Sequence, residues 1–362
     1  MSLQNHFNEF NQAIYLTDQS PGYKKAKEKD ESILSDLKQR FRDEGCSIKD
    51  TFLQGSFSVH TAINSLEGDY DVDRALVVDA DNAPTDPVKL KEVVLDVLAK
   101  RNFKDPKVKK PCVTADYLSI NLHIDYTIYT LDSNGDYKLA VGKINSSARH
   151  KEWSPSDPKG LIEWINDTSS YGNDAVNKKK QYKRLVRYMK RWRDVNFNEQ
   201  SRKKLFSIGL TIMIKEQYRP DYFSDVKDDL VALEQTVRNM LNEGYIRQVY
   251  SSDHSLYRIS VNLPKTPYRD VFQHKVGDQS ESGSDTNIGT LFKNKLTSLL
   301  RKLEEASNET DEIKQCEILN KVFGDDFKVP SSSGSTGSGS VAGASAASYF
   351  PTAGASGTSQ GA

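Results

Sequence analysis

Residues 71–78, Asp-Val-Asp-Arg-Ala-Leu-Val-Val, place two carboxylates at the start of an apolar run. The apolar run predicts a β-strand that enters the core of the protein. Side chains alternate between the two faces of a strand, so Asp71 and Asp73 share one face while Val72 and Arg74 share the other. Two adjacent like charges are costly to bury unless a cation neutralises them. The pattern therefore favours a metal site.

A second strand supplies a third acid. Residues 117–130 alternate, with Ile124 and Tyr126 on one face and Asp125 on the other. If this strand lies beside residues 72–78, Asp125 completes a cluster of three carboxylates. Phosphoryl transfer uses such a cluster to hold two divalent metals about 3.5–4 Å apart, which activate the attacking hydroxyl and bind the leaving group. We therefore interpret the three acids as catalytic metal ligands.

A Gly-Ser pair precedes these acids, with 14 residues separating Ser56 from Asp71. A glycine at a turn lets backbone N–H groups approach phosphate oxygens, and the following hydroxyl adds a donor. Gly55 and Ser56 are therefore candidates for binding a nucleoside triphosphate. The tyrosines that could stack on its base, Tyr117, Tyr126 and Tyr257, cannot be ranked from the sequence.

The order of predicted elements indicates an α+β fold with two lobes. Strands at 72–78, 110–116 and 117–130 lie between and after helices at 22–45 and 87–101. The second half is mainly helical, with helices predicted at 159–168, 175–196, 205–217, 226–243, 287–306 and 309–322. We expect a catalytic lobe with an N-terminal helix at 1–155, a helical lobe at 156–328, and the active site in the cleft between them. Residues 329–362 are dominated by Ser, Gly and Ala, and are predicted to be a disordered tail.

Bulk composition limits the partners. The 50 basic and 50 acidic residues cancel, so the chain lacks the overall positive charge of proteins that bind long nucleic acids. Three cysteines without a CxxC pair argue against structural zinc. No apolar run of 18 residues and no apolar signal core occur, so we expect a soluble cytoplasmic protein without membrane contact.

One local basic stretch stands out at residues 178–193, with nine Lys or Arg in sixteen positions. Helical spacing places Lys183, Arg187 and Lys190 on one face. The interpretation favoured for the helix as a whole is a solvated charged surface, while Lys190 is expected to contact triphosphate. An alternative is that the helix binds an RNA or DNA activator, since phosphate contacts dominate such affinity.

Several strings together resemble a known family. The segments LQGSFSVHTAIN and GDYDVDRALVV match the polymerase-β-like nucleotidyltransferase pattern of a Gly-Ser, a spacer and two acids. The strings LQNHFNEF, LHIDYTIY, LVRYMKRWRD and FGDDF resemble the bacterial CD-NTases, the cyclic oligonucleotide synthases of anti-phage defence. The resemblance covers roughly residues 1–328.

This resemblance implies a role for each matching position. Gly55 and Ser56 would hold the donor triphosphate, and Asp71 and Asp73 would bind two Mg²⁺ ions, for which Mn²⁺ can substitute. Asp125 would bind the catalytic metal and help deprotonate the attacking ribose hydroxyl. Two further positions would contact donor phosphates, namely Lys190 and Ser207.

The implied reaction is template-independent condensation of NTPs, including ATP, into a cyclic di- or trinucleotide with release of pyrophosphate. The motifs leave open a linear oligoadenylate synthase and a transferase that adds one nucleotide to RNA, protein or a small molecule. A catalytically dead scaffold is a further alternative. In some relatives a flexible C-terminus is joined to a target by a ubiquitin-ligase-like partner, and residues 329–362 could serve that purpose.

Overall fold

The computed structural model describes residues 2–66, 70–101, 103–117, 122–249, 255–276 and 279–331. The helices are α1 Leu3–Ile14, α2 Pro21–Asp43, α3 Gly55–Ser58, α4 Val88–Lys100, α5 Pro158–Asn166, α6 Ala175–Asn196, α7 Glu199–Arg202, α8 Ser207–Gln217, α9 Asp229–Asn242, α10 Thr286–Asn308 and α11 Glu312–Phe323. The strands are β1 Ile48–Leu53, β2 Tyr70–Asp79, β3 Lys104–Val108, β4 Val113–Tyr117, β5 Leu122–Leu131, β6 Tyr137–Val141, β7 Glu152–Ser156, β8 Ile246–Val249, β9 Leu256–Ile259, β10 His274–Val276 and β11 Gln279–Glu281. This order confirms the predicted α+β lobe followed by a helical lobe.

Strands β1–β7 form one mixed sheet in the first lobe. The strand order is β1-β2-β5-β4-β3, and β6 pairs with the second half of β5 and with β7. Only β2 and β5 run parallel among these paired strands, and the other pairs are antiparallel. The predicted alternation holds on both central strands. Val72 and Ile124 lie in the main core of the lobe, whereas Asp73 and Asp125 lie on the opposite face.

Helices α2 and α4 cover the apolar face of this sheet. Leu37 and Phe41 of α2 are fully buried in the core that contains Val72. A buried ion pair between Asp30 of α2 and Arg74 of β2 fixes the helix over the strand. The hydroxyl of Tyr126 also donates to Asp30, at 3.0 Å. These contacts hold the start of β2, where Asp71 and Asp73 lie, against the lobe.

The second core lies among α1, α6 and α8–α11. The sequence analysis predicted no helix at residues 3–14, yet α1 contributes Phe7, Phe10 and Ile14 to this core, all fully buried or nearly so. Phe10 stacks on Tyr188 of α6 with ring centroids 5.1 Å apart. The first helix of the chain therefore packs in the helical lobe, and residues 15–20 cross to α2 on the sheet lobe.

The structure contains strands that the sequence analysis did not predict, and it describes only part of the predicted tail. Strands β1, β3 and β6–β11 were not predicted, because they are short and lack a long alternating pattern. Of the tail predicted at 329–362, only residues 329–331 lie within the described part of the chain. Across the described ranges, no helix combines the length and apolar character that a membrane span requires.

Candidate active site

The structure places the predicted acids side by side on the parallel strands β2 and β5. Asp73 pairs in register with Asp125, and Asp71 pairs with His123. Paired residues on neighbouring strands project from the same face, at a strand separation of about 4.8 Å. The juxtaposition that the sequence analysis made conditional on strand pairing is therefore present.

The charges of these acids interact strongly. Burial, and then repulsion by Asp125 and Asp71, raise the pKa of Asp73 to about 7, while Lys190 and Lys109 oppose the rise. The two neighbouring carboxylates thus make ionisation of Asp73 more costly. A divalent cation at this face would relieve that repulsion.

Asp125 is held by groups that the sequence analysis did not identify. Its side chain is 7% exposed and accepts a hydrogen bond from the Thr114 hydroxyl of β4. Lys109 Nζ lies 3.8 Å from Asp125 Oδ1. Thr114 pairs in register with Asp125. In the sequence, Thr114 is visible only as a hydroxyl residue within the apolar stretch of β4. Its role beside Asp125 became clear only from the register of the two strands.

The donor set suits a hard divalent cation, since Mg²⁺ prefers carboxylate oxygens. The three acids lie on one face of the sheet, and burial, together with repulsion by Asp125 and Asp71, raises the pKa of Asp73. Within the described ranges, no three His, Cys, Asp or Glu side chains already converge as preformed metal ligands would. Asp71 is exposed and lines the cleft together with Asp73.

Gly55 forms the turn that faces these acids, and only glycine fits there. Its φ is +60°, and a Cβ on it would lie 2.0 Å from Asp73 Oδ2. Gln54 N–H donates to the Asp73 carbonyl at 2.8 Å, which fixes the turn to β2. Ser56 follows in the short helix α3, and its carbonyl accepts from Thr61 N–H at 2.9 Å.

A cleft of about 430 Å³ opens between the two lobes at this point. Six of the seven predicted site residues line it, namely Gly55, Ser56, Asp71, Asp73, Lys190 and Ser207. Asp125 is buried beside Asp73 instead. Apolar side chains, among them Phe57 and Phe206, also line the cleft, so it offers both a charged end and surfaces against which a base could pack.

Lys190 and Ser207 approach the cleft from the helical lobe. Lys190 is 4% exposed, and its Nζ donates to the Thr61 carbonyl at 2.9 Å. Burial, reinforced by the nearby Arg193, lowers the pKa of Lys190 to about 7. Ser207 begins α8, and its hydroxyl accepts from Arg193 Nη1 at 2.8 Å. Arg193 is a cleft residue that the sequence analysis missed, although it lies one helical turn after Lys190.

The favoured interpretation of α6 as a solvated charged surface is wrong for its central face. Lys183, Arg187 and Lys190 are 9%, 5% and 4% exposed. Lys183 donates to Asn166 Oδ1 at 2.9 Å, and Arg187 donates to the His60 carbonyl at 2.7 Å. These cations face the protein interior because main-chain and side-chain oxygens meet them there.

Two of the tyrosines considered for base stacking lie elsewhere. Tyr126 is fully buried on the apolar side of the sheet. The ring of Tyr257 lies 4.1 Å from Lys293 Nζ and does not line the cleft. The side chain of Tyr117 lies outside the described part of the chain.

Comparison with known proteins finds a family model that matches the first part of the chain and solved structures with a similar fold. Residues 1–168 match the family model of the Second Messenger Oligonucleotide or Dinucleotide Synthetase domain. A cyclic GMP-AMP synthase of Escherichia albertii is 30% identical over 209 residues, covering 55% of this chain. The match spans only 43% of the length of that relative.

Solved structures agree over most of the chain. The Vibrio cholerae DncV cyclic AMP-GMP synthase in complex with the linear intermediate 5′ pppA(3′,5′)pG aligns with a TM-score of 0.57 at 18% identity, covering 90% of this chain and 87% of that one. The Bradyrhizobium diazoefficiens CD-NTase CdnG in complex with GTP aligns with a TM-score of 0.61 at 13% identity, covering 90% and 96%. At these identities the similarity concerns the fold.

Proposed function

We propose that this chain is a CD-NTase, in line with the match of residues 1–168 to the synthetase domain, and that it condenses nucleoside triphosphates into a cyclic di- or trinucleotide and releases pyrophosphate. The observation that carries the proposal is the in-register pairing of Asp73 with the buried Asp125, beside a turn at Gly55 that lines the same cleft as Asp73. ATP is among the proposed substrates, and the product would act as an alarm signal in anti-phage defence inside the cytoplasm.

Each residue has a role that follows from its position. The Gly55–Ser56 turn presents backbone and hydroxyl donors to the donor triphosphate, while Lys190 and Ser207 approach the same phosphates from the opposite lobe. Asp125, fixed by Thr114, takes the proton of the attacking ribose hydroxyl. Asp71, Asp73 and Asp125 would hold two Mg²⁺ ions, or Mn²⁺, which when bound polarise the attacking hydroxyl and stabilise the departing pyrophosphate.

The relatives support a stepwise reaction. The DncV complex contains a linear intermediate with a 5′ triphosphate, which is the species expected when one linkage forms before ring closure. By analogy, we propose that this cleft forms one linkage, turns the linear product over and then closes the ring.

The test is incubation of the purified protein with all four NTPs and Mg²⁺ or Mn²⁺, followed by phosphatase treatment and mass spectrometry. We expect a phosphatase-resistant product with wild type and none with the Asp71→Ala, Asp73→Ala double variant. Linear oligomers as the end product would replace the proposal with an oligoadenylate-type synthase. Absence of any product, with and without added RNA or DNA, would contradict it.

A regulatory partner that acts on residues 329–362 stays a prediction. Incubation with a candidate ubiquitin-ligase-like protein, followed by intact-mass measurement, would detect a conjugate.

A further inference from the structure

Three cationic side chains of α6 donate hydrogen bonds to main-chain carbonyls of one short segment. Arg187 Nη1 donates to His60 O at 2.7 Å, Lys190 Nζ to Thr61 O at 2.9 Å, and Arg191 Nη2 to Asn64 O at 2.7 Å. All three carbonyls belong to residues 60–64, the irregular segment that follows α3. The three cationic side chains are 5%, 4% and 2% exposed.

Burying three cationic groups costs solvation free energy unless each group forms hydrogen bonds that replace those to water. Here the carbonyls of residues 60–64 accept those hydrogen bonds. The segment needs external support, because His60 has φ +55°. A non-glycine residue in the left-handed region is strained and persists only where its surroundings hold it. The hydrogen bond from Arg187 reaches the carbonyl of this strained residue.

Residues 60–61 are joined to residues 56–57 beside Gly55 by main-chain hydrogen bonds. Thr61 N–H donates to Ser56 O at 2.9 Å, and His60 N–H donates to Phe57 O at 3.2 Å. Thr61 therefore links Lys190 to Ser56, because its carbonyl accepts from Lys190 Nζ and its N–H donates to the Ser56 carbonyl. A displacement of residues 60–61 would move the donors of the Gly55–Ser56 turn.

The two arginines are themselves anchored in the helical lobe. Arg187 Nε donates to Asn11 Oδ1 of α1 at 2.8 Å, and its guanidinium lies 4.1 Å from the centre of the Tyr15 ring. Arg191 Nε lies 3.2 Å from Asp326 Oδ2, within the FGDDF segment. Each guanidinium thus bridges a fixed point on the helical lobe and a carbonyl of residues 60–64.

We propose that Arg187 and Arg191 are positioning residues for nucleotide binding, which together with Lys190 form a carbonyl clamp that sets the Gly55–Ser56 turn against the helical lobe. This inference rests on the proposed nucleotidyltransferase function for its kinetic consequence but not for its structural one. Neither arginine lines the cleft, so both act through residues 60–64.

The test uses Arg187→Lys, which keeps the charge but cannot reach both Asn11 and His60. We expect the KM for ATP to rise roughly tenfold, the effect of one lost hydrogen bond to a charged group, with a much smaller change in kcat. Amide hydrogen exchange should accelerate at His60 and Thr61. Arg191→Lys should act in the same direction.

Arg184→Lys is the matched control. Arg184 lies on the same helix and makes two hydrogen bonds of 2.7 Å to the buried Asp229, away from residues 60–64. This variant should lose thermal stability while keeping the wild-type KM and the wild-type exchange of residues 55–64. Equal KM values for Arg187→Lys and Arg184→Lys, or unchanged exchange at His60 and Thr61, would overturn the clamp.

The exchange measurement keeps the two proposals separable. If the wild-type protein makes no product from NTPs, the proposed function fails, yet faster exchange at residues 60–61 in Arg187→Lys still supports the clamp. If product forms normally but exchange and KM do not respond, the clamp fails alone.

Discussion

At the scale of single residues, Gly55 and Asp73 determine each other's position. Gly55→Ala would place a methyl group 2.0 Å from Asp73 Oδ2 and hold an alanine at φ +60°. The carboxylate must move, and a displacement of about 1 Å at a catalytic group can lower the rate about a hundredfold. We expect product formation to fall by that order, measured under initial-rate conditions, with a modest decrease in melting temperature.

Gly45→Ala separates the backbone effect from the contact with Asp73. Gly45 has φ +75°, but a Cβ on it would meet nothing within 4 Å, and it lies outside the cleft. Its substitution should cost about 1–2 kcal/mol of stability from the left-handed backbone alone and leave catalysis near wild type. Similar activity losses in the two variants would refute the steric role of Gly55.

The pKa of Lys190 predicts a pH-dependent affinity. Burial lowers that pKa to about 7, so the side chain is an ammonium below pH 7 and neutral above it. Only the ammonium attracts phosphate, and binding above pH 7 must therefore be accompanied by proton uptake. We expect ATP affinity to fall by up to about tenfold per pH unit between pH 7 and 9, measured by calorimetry in buffers of different ionisation enthalpy.

Lys190→Arg provides the comparison, because a guanidinium keeps its charge across this range. Its affinity should vary little between pH 7 and 9 even if it is weaker overall. A wild-type affinity that is equally flat would show that Lys190 does not need its proton to bind nucleotide.

At the scale of elements, α1 stabilises a lobe whose next helix, α5, begins about 140 residues after α1 ends. Phe10 packs on Tyr188, Phe323 and Phe327 with centroid separations of 5.1, 5.0 and 5.3 Å. Phe10→Ala should lower the free energy of unfolding by about 3–5 kcal/mol, measured in urea. Phe223→Ala, at a side chain that is 81% exposed, should change it by no more than about 0.5 kcal/mol. Equal effects would place α1 outside the cooperative core.

The elements also show where sequence reasoning succeeds. Helix α6 was predicted at 175–196 and occupies those residues, because a long amphipathic pattern fixes both its type and its extent. The pattern does not reveal which charged face is buried. Helix α1 was omitted although Phe7, Phe10 and Ile14 recur with helical spacing, since its stability depends on partners at residues 188, 323 and 327 that are distant in the chain.

At the scale of the whole molecule, the sequence predicted the contents of the active site better than its geometry. Strand alternation assigned Asp71, Asp73 and Asp125 to polar faces without any structure. That β2 and β5 are parallel neighbours, with Asp73 opposite Asp125, depends on tertiary pairing that no local pattern encodes. For the same reason the sequence analysis did not identify Thr114 and Arg193. Thr114 donates to the Asp125 carboxylate and Arg193 donates to the Ser207 hydroxyl, and both contacts depend on the tertiary fold.

The position of α1 also has a consequence for synthesis on the ribosome. Helix α1 leaves the ribosome before its aromatic partners Phe323 and Phe327, which follow on the order of half a minute later at usual elongation rates. Asp326, the anchor of Arg191, emerges together with these partners. A nascent or prematurely terminated chain would therefore contain Asp71, Asp73 and Asp125 but lack the contacts of residues 323–327 that help to position the Gly55–Ser56 turn. Such incomplete chains should be inactive in nucleotidyl transfer until residues 323–327 have emerged and packed.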